Sequence, residues 1–277
     1  MRLEYFSHAS CTCLNRSRRS TLQFGNGWTP SLYILEGTGV SRFFGGLHAI
    51  QNVSFHLEDG EITALIGPNG AGKTTLFNCI TGFQKPTAGS IKFMGQEIAG
   101  RSPNRICRMG ITRTFQITRP FLNMTCLDNV VVSAVFGRSK PLSVREAREE
   151  ALNVLNFVGL EKKANVLGKG ITLHERRSLE IARALGAKPK IVLFDEVMAG
   201  LNPQETDEAS KLIVKVRDEF GVTLFWVEHL MRAVMNVAER IIVLQSGEKT
   251  AEGTPQEISK NQDVIDAYLG EEHVTQQ

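Results

Sequence analysis

Residues 61–75 read EITALIGPNGAGKTT, which is an apolar strand, a glycine-rich loop and the first residues of a helix. The loop matches the pattern G-x-x-x-x-G-K-[ST], and the flanking strand and helix are the context that this pattern requires. Glycines let the backbone curl so that several N–H groups face one anion, and the helix N-terminus adds a favourable dipole. The sequence therefore predicts a phosphate-binding loop.

Two side chains of the loop have specific expected roles. The ammonium group of Lys73 is expected to reach the β and γ phosphates of a nucleotide, and the hydroxyl of Thr74 is expected to ligate Mg²⁺. A loop of this kind is shared by kinases, GTPases and ATPases, so it predicts a nucleotide without choosing the reaction. The expected phosphate-binding residues are Gly67, Pro68, Asn69, Gly70, Ala71, Gly72, Lys73, Thr74 and Thr75.

A second motif, IVLFDE at residues 191–196, is a continuous apolar run that ends in two carboxylates. Such a run is typical of a strand buried on both faces of a parallel sheet, and ligands of parallel sheets bind at the carboxyl ends of the strands. Asp195 is expected to hold the magnesium ion, directly or through water. Glu196 is expected to accept a proton from the attacking water. The alternative, that the pair only ends a strand, is disfavoured by the phosphate loop.

Strands and helices alternate along the chain, which predicts an α/β fold with a mostly parallel sheet. A capping box at Ser143 begins a helix that Gly159 ends, and Asn202 begins a second helix that Gly221 ends. The region of about 120–188 is predicted to be helical. Further strands are predicted at 32–35, 53–57, 91–94, 223–227 and 241–244.

The net charge of +3, from 32 Lys and Arg against 29 Asp and Glu, lies entirely in residues 1–30. The remaining residues carry equal numbers of basic and acidic side chains, which disfavours a nucleic-acid-binding domain. Residues 1–30 have no clear period. We expect a disordered leader, a transit-like peptide or translation from upstream of the true start codon, and the last is favoured.

Neither a membrane span nor a disulfide framework is predicted. The longest stretch nearly free of charge, Pro120 to Gly137, contains polar residues, whereas a spanning helix needs about 20 mainly apolar residues. Five cysteines without a CxxC pair indicate reduced thiols in a cytosolic protein. The same spacing disfavours structural zinc.

With both motifs in place, residues 32–272 resemble the ATP-binding subunit of an ABC transporter, and more closely the ATPases of branched-chain amino acid importers. This resemblance implies a P-loop NTPase core with an N-terminal antiparallel β subdomain and an inserted helical subdomain, over residues 31–272 with a tail at 273–277. The segments that carry the closer match are FFGGL at 43–47, TLFNCITGF at 75–83, RTFQ at 113–116, AGLNP at 199–203 and VIDAYLG at 264–270.

The resemblance also assigns roles to single residues. Phe44 matches the aromatic residue that stacks on the adenine of ATP. Gln116 matches the Q-loop glutamine, which senses Mg²⁺ and the γ phosphate beside the contact with the membrane subunits. His229 matches the switch histidine, which contacts the γ phosphate.

The signature segment departs from the family pattern. Where the family reads close to L-S-G-G-Q, residues 171–175 read ITLHE, before a helix predicted at 176–185. Thr172 can replace the serine hydroxyl that contacts ATP in a partner subunit. His174 stands at a glycine position, where its side chain either crowds the closed dimer or donates a hydrogen bond to the phosphate.

The resemblance implies an ATPase on the cytoplasmic face of the inner membrane. Its expected partners are a second ATPase subunit, identical or similar, transmembrane permeases, and a periplasmic or lipid-anchored substrate-binding protein. No nucleic acid is expected. Three alternatives stay open: a hydrolysis-poor half of a heterodimer, an importer subunit for urea or amides, and a soluble ABC ATPase acting in repair or translation.

Overall fold

The computed structural model describes residues 33–116 and 118–266. The predicted leader 1–30, the strand residue Leu32 and the tail 273–277 lie outside the described residues. The strands are β1 (Leu35–Phe44), β2 (Leu47–Leu57), β3 (Ile62–Ile66), β4 (Ala88–Phe93), β5 (Gln96–Glu97), β6 (Ile111–Arg113), β7 (Ile191–Asp195), β8 (Thr223–Val227), β9 (Arg240–Gln245) and β10 (Glu248–Gly253). The helices with both ends described are α1 (Lys73–Ile80), α2 (Pro103–Met109), α3 (Cys126–Phe136), α4 (Val144–Phe157), α5 (Leu173–Gly186), α6 (Pro203–Phe220), α7 (Met231–Val237) and α8 (Pro255–Ile258).

The strands form two sheets. A six-stranded sheet has the order β10-β9-β3-β8-β7-β6 and is parallel except for its edge strand β10. A four-stranded sheet has the order β2-β1-β4-β5 and is antiparallel. The predicted α/β fold, with a mostly parallel core and an N-terminal antiparallel sheet, is confirmed.

The parallel sheet is buried on both faces, because alternate residues of its strands enter two separate cores. In β7, Val192 and Phe194 belong to the core on the side of the helical region, and Ile191 and Leu193 belong to the core beside the antiparallel sheet. This two-sided burial is the physical reason for the continuous apolar run that the sequence shows.

The predicted helical region contains α3, α4 and α5, which pack on one another around small and branched apolar side chains. Capping boxes begin α4 at Ser143 and α6 at Asn202, as the sequence predicts. Gly221 ends α6 in the left-handed conformation, with φ of 60°. In the described ranges, every helix is too short or too polar to cross a lipid bilayer.

One predicted helix is wrong at its start. We expected the helix after the signature segment to begin at Arg176, but α5 begins at Leu173. The cause is a capping box in which Thr172 accepts from the N–H of Glu175 and the Glu175 carboxylate accepts from the N–H of Thr172. The signature segment therefore forms the first turn of α5.

Candidate functional site

The site lies where three neighbouring parallel strands end. Val227, the last residue of β8, is in register with Leu65 of β3 and with Asp195 of β7. The phosphate loop follows β3, Glu196 follows β7, and His229 lies two residues beyond β8. Because these strands pair directly, residues far apart in sequence meet at one edge of the sheet.

The phosphate loop curls tightly against the sheet. Gly67 has φ of 146°, and a Cβ atom there would lie 2.0 Å from the carbonyl oxygen of Leu244 in β9. The loop ends on α1, whose first residue is Lys73. The Lys73 ammonium donates to the carbonyl oxygens of Gly67 at 2.5 Å and Pro68 at 2.8 Å, inside the curl of the loop. A cation is thus held where phosphate oxygens are predicted to bind.

A cleft of about 500 Å³ opens over this loop. Phe44 lies at its rim with 40% of its surface exposed, and the guanidinium carbon of Arg42 is 4.5 Å from the centre of its ring. The lining residues are Phe44, Leu47, His48, Ala49, Asn69, Gly70, Ala71, Gly72, Lys73, Thr74, Thr75, Glu196 and Ser246. The cleft therefore joins the predicted adenine contact, the phosphate loop and the predicted base.

Glu196 is held by two side chains. Its Oε2 accepts a hydrogen bond from Nε2 of Gln116 at 2.5 Å, and its Oε1 lies 2.5 Å from Nε2 of His229. Its backbone has φ of 50°, which is uncommon for a residue with a side chain and typical of functional sites. The structure thus brings Gln116 and His229, to which the resemblance assigns the γ phosphate, onto the carboxylate of the predicted base.

Asp195 is buried and has a cationic partner that the sequence analysis missed. Its Oδ2 accepts from Nη2 of Arg113 at 2.6 Å, and both side chains are at most 5% exposed. Its backbone N–H donates to the hydroxyl of Thr114 at 3.3 Å. Its position directly before the TFQ residues could have marked Arg113 as part of the site. No local pattern predicts that it pairs with Asp195.

Glu228 is a second residue that the sequence analysis missed. It is 1% exposed, its Oε1 accepts from the N–H of His229 at 2.9 Å, and its Oε2 accepts from the N–H of Met198 at 3.3 Å. Burial raises the pKa of this carboxyl above its ordinary value, although the backbone donors act against that change. Glu228 therefore connects the backbone after β8 with the backbone after β7.

The residues predicted to hold magnesium carry suitable oxygen atoms. Thr74 offers a hydroxyl, Gln116 an amide oxygen, and Asp195 the carboxylate oxygen that does not face Arg113. These are hard oxygen ligands of the kind that Mg²⁺ prefers. The described ranges contain no cluster of three His, Cys, Asp or Glu side chains able to hold a metal, so the remaining ligands would come from phosphate and water.

The lining of the cleft lacks six predicted site residues: Gly67, Pro68, Gln116, Asp195, His229 and Thr172. The first five belong to the phosphate loop, precede Glu196 or bond to its carboxylate, whereas Thr172 does none of these. It caps α5, is exposed, and is absent from the lining residues. His174 is exposed in the same turn, without a positive φ angle. The glycine of the family pattern is therefore not required here by the backbone conformation of this chain.

A larger cleft of about 690 Å³ lies between α6 and α7. Its lining residues include Val214, Lys215 and Ala233. None of its lining residues is predicted to bind phosphate, and none lies at the end of a parallel strand. The cleft over the phosphate loop is the better candidate because its lining combines the Lys73 cation, the Glu196 carboxylate and left-handed backbone at Gly70 and Gly72.

The chain matches a family model described as ABC transporter over residues 50–199. It also matches one described as branched-chain amino acid ATP-binding cassette transporter over residues 251–274. It is 42% identical over 254 residues to the high-affinity branched-chain amino acid transport ATP-binding protein BraF of Pseudomonas aeruginosa, covering 86% of this chain and 98% of that protein. It is 44% identical over 250 residues to LivG of Escherichia coli K12, described in the same words, with the same coverage.

Two solved structures show the same fold. The ADP conformation of an ATP-binding cassette of an ABC transporter has a TM-score of 0.79 at 28% identity, covering 87% of this chain and 100% of that chain. A dimeric post-hydrolysis state of an ATP-binding cassette, bound to ADP and Pi, has a TM-score of 0.71 at 27% identity, covering 80% and 98%.

Proposed function

Because the chain belongs to the ATP-binding subunits of ABC transporters, we propose that it hydrolyses ATP to drive the import of branched-chain amino acids through separate membrane subunits. The observation that carries this proposal is the placement of Glu196. It lines the cleft over the phosphate loop, and it is bonded to both Gln116 and His229.

In this proposal the chain binds ATP through residues of the cleft. The adenine stacks on the exposed ring of Phe44, and the phosphates lie in the loop at 67–75, where Lys73 exchanges carbonyl partners for phosphate oxygens. Thr74, Gln116 and Asp195 would hold Mg²⁺, which neutralises charge on the phosphate oxygens. Glu196 accepts the proton of the attacking water, while His229 contacts the γ phosphate.

A second ATPase subunit completes the proposed site. The signature turn with Thr172 and His174 is exposed and lies outside the cleft of its own chain, which supports a contact with ATP held by a partner. A head-to-tail dimer would bury two nucleotides between the subunits. A dimeric relative bound to ADP and Pi supports this arrangement.

The permease subunits are proposed to bind a groove of about 480 Å³ between the helical region and the edge of the parallel sheet. Phe83, Phe115, Arg119 and Arg183 are among its lining residues. Phe83 and Phe115 are exposed and meet edge to face at 5.8 Å. Binding there would place the chain on the cytoplasmic face of the membrane.

The cargo is proposed from relatives. BraF and LivG are branched-chain amino acid transport ATP-binding proteins. A periplasmic or lipid-anchored binding protein would deliver the substrate to the permeases. The test compares uptake of labelled leucine with uptake of labelled urea in cells that carry the ATPase and the permeases encoded beside it. Uptake of leucine but not urea would support this proposal over a urea or amide importer.

His174 favours a second candidate, a hydrolysis-poor half of a heterodimer, because it replaces the signature glycine. Glu196 and His229 support active hydrolysis instead. Phosphate release from the purified chain, with and without its partner subunits, tests both candidates. We expect the parent protein to hydrolyse ATP and Glu196→Gln to bind ATP without hydrolysing it. Glu219→Gln, on the exposed face of α6, should hydrolyse ATP at the parent rate. Equal phosphate release by the parent protein and Glu196→Gln would overturn the assignment of the base.

A further inference from the structure

Arg113 occupies a buried position between three parts of the site. It is the last residue of β6, directly before Thr114, Phe115 and Gln116, and its side chain is 4% exposed. One guanidinium nitrogen, Nη2, donates to Oδ2 of Asp195 at 2.6 Å. The other, Nη1, donates to Oδ1 of Asn78 on α1 at 2.7 Å. Arg113 thus joins the strand that carries Asp195 to the helix that begins at the phosphate loop.

Two aromatic rings lie close to this cation. The guanidinium carbon lies 5.5 Å from the ring centre of Phe77 and 5.2 Å from that of Phe115. A planar group with two directed hydrogen bonds and ring contacts has little freedom to turn, whereas the flexible point charge of a lysine could not make both bonds in this geometry. Arg113 thus presents its donor to Oδ2 of Asp195 from a position that it also shares with Asn78 and two rings.

The contact divides the two oxygens of Asp195 between different tasks. Oδ2 accepts from Arg113, and Oδ1, which this bond does not use, would serve a metal ion or a metal-bound water. Groups that hold a metal ligand from behind commonly set its orientation, and their loss weakens metal binding about 10- to 100-fold.

We propose that Arg113 is a positioning residue of the ATPase reaction, which fixes Asp195 so that one carboxylate oxygen serves Mg²⁺. This inference rests on the proposed function. It predicts that Arg113 governs the dependence of nucleotide binding on magnesium, while binding in the absence of magnesium depends on the phosphate loop.

The test titrates Mg²⁺ into protein with a fluorescent ATP analogue, in the Glu196→Gln background so that the nucleotide is not consumed. We expect Arg113→Met to raise the midpoint for Mg²⁺ about tenfold, and binding in EDTA to stay unchanged. Arg113→Lys should raise the Mg²⁺ midpoint less than Arg113→Met does, because lysine keeps the positive charge beside Asp195. The matched control is Arg145→Met, in an exposed ion pair with Glu149, and it leaves the midpoint unchanged.

A double variant keeps the test decisive if Arg113→Met does not fold, because Arg113→Met/Asp195→Asn removes both buried charges together. We expect its Mg²⁺ midpoint to equal that of Asp195→Asn alone, since both changes act through one carboxylate. The positioning role is overturned if the Mg²⁺ midpoint of Arg113→Met equals that of the background. It is also overturned if the Mg²⁺ midpoint of the double variant is higher than that of Asp195→Asn. Either result leaves the ATPase proposal standing. An Asp195→Asn midpoint equal to that of the background overturns the proposed magnesium site, and with it this inference.

Discussion

Nε2 of His229 lies 2.5 Å from Oε1 of Glu196, although the two residues are 33 positions apart in sequence. The pair exists because β7 and β8 are neighbours in the parallel sheet, so that the residues following each strand share one edge. With Gln116 on the other oxygen, the proposed base has both oxygens engaged by residues that are expected to contact the γ phosphate. In the proposed mechanism, Gln116 and His229 would exchange these hydrogen bonds for contacts with the γ phosphate when ATP binds, and Glu196 would accept a proton from water.

Replacing the histidine tests this exchange. We expect His229→Ala to lower kcat for ATP hydrolysis about 100-fold with little change in ATP affinity, because it removes a contact with the γ phosphate that is made mainly in the transition state. Steady-state phosphate release and binding of a fluorescent nucleotide provide the two measurements. Arg232→Ala, exposed at the start of α7, serves as the control. A loss of affinity equal to the loss of kcat would contradict the proposed role.

The exposed ring of Phe44 makes a separate prediction about the adenine. We expect Phe44→Ala to weaken ATP binding about tenfold, because base–aromatic stacking contributes about 1–3 kcal/mol. Phe136→Ala is the matched control, since Phe136 is 65% exposed at the end of α3 and does not line the cleft. Equilibrium binding of ATP to the three proteins measures the effect. Equal affinity for Phe44→Ala and the parent would exclude stacking on this ring.

The phosphate loop allows a comparison between two glycines. Gly67→Ala should destabilise the fold by more than about 2 kcal/mol, because its Cβ would meet the backbone of a paired strand. Gly70→Ala should lower the free energy of unfolding by only about 1 kcal/mol. Its φ of 80° is unfavourable for alanine, but an added Cβ would meet no atom within 4 Å. Urea unfolding without nucleotide measures both. Equal losses would mean that backbone conformation, and not the close approach to Leu244, limits position 67.

The cap of α5 predicts a dependence on pH. The ion pair with Lys163 and the hydrogen bonds at Thr172 lower the pKa of Glu175 below its ordinary value of 4.5. The ionised carboxylate therefore stabilises the fold above pH 4.5, and this contribution is lost as the pH falls through the lowered pKa. We expect Glu175→Ala to cost about 1 kcal/mol at neutral pH, with the difference narrowing in acid.

Urea unfolding of the parent and Glu175→Ala at pH 7 and below pH 4.5 measures this change. Glu149→Ala removes an exposed ion pair on α4 and should cost less at neutral pH. A difference between the parent and Glu175→Ala that grows in acid would contradict the assigned direction of the pKa shift.

Local patterns predicted the parts of the fold that local chemistry determines. The phosphate loop, the apolar strand before Asp195 and the caps at Ser143 and Asn202 each contain their own signal within a few residues. Thr172 and Glu175 carry the same capping-box signal, which lies inside the segment that the family pattern assigns to the signature. There the capping box sets the start of α5 and contradicts the predicted start at Arg176.

The missing parts of the site depend on pairing between distant strands. Arg113 and Asp195 are 82 residues apart, and they meet because β6 lies beside β7 at the edge of the sheet. Sequence alone gives neither the strand order nor the burial that makes such an ion pair possible. The roles assigned to Phe44, Gln116 and His229 stay predictions, although the structure places Gln116 and His229 on the same carboxylate.

Glu228 has a mechanical consequence for the two loops that it joins. Its carboxylate binds the N–H groups of His229 and Met198, so the chain after β8 and the chain after β7 share one buried anchor. A displacement of His229 toward phosphate would pull on Met198 and on Leu201, whose N–H donates to the Met198 carbonyl. Through this one carboxylate, a movement of His229 at the bound nucleotide would shift the backbone at the start of α6, which lies outside the cleft.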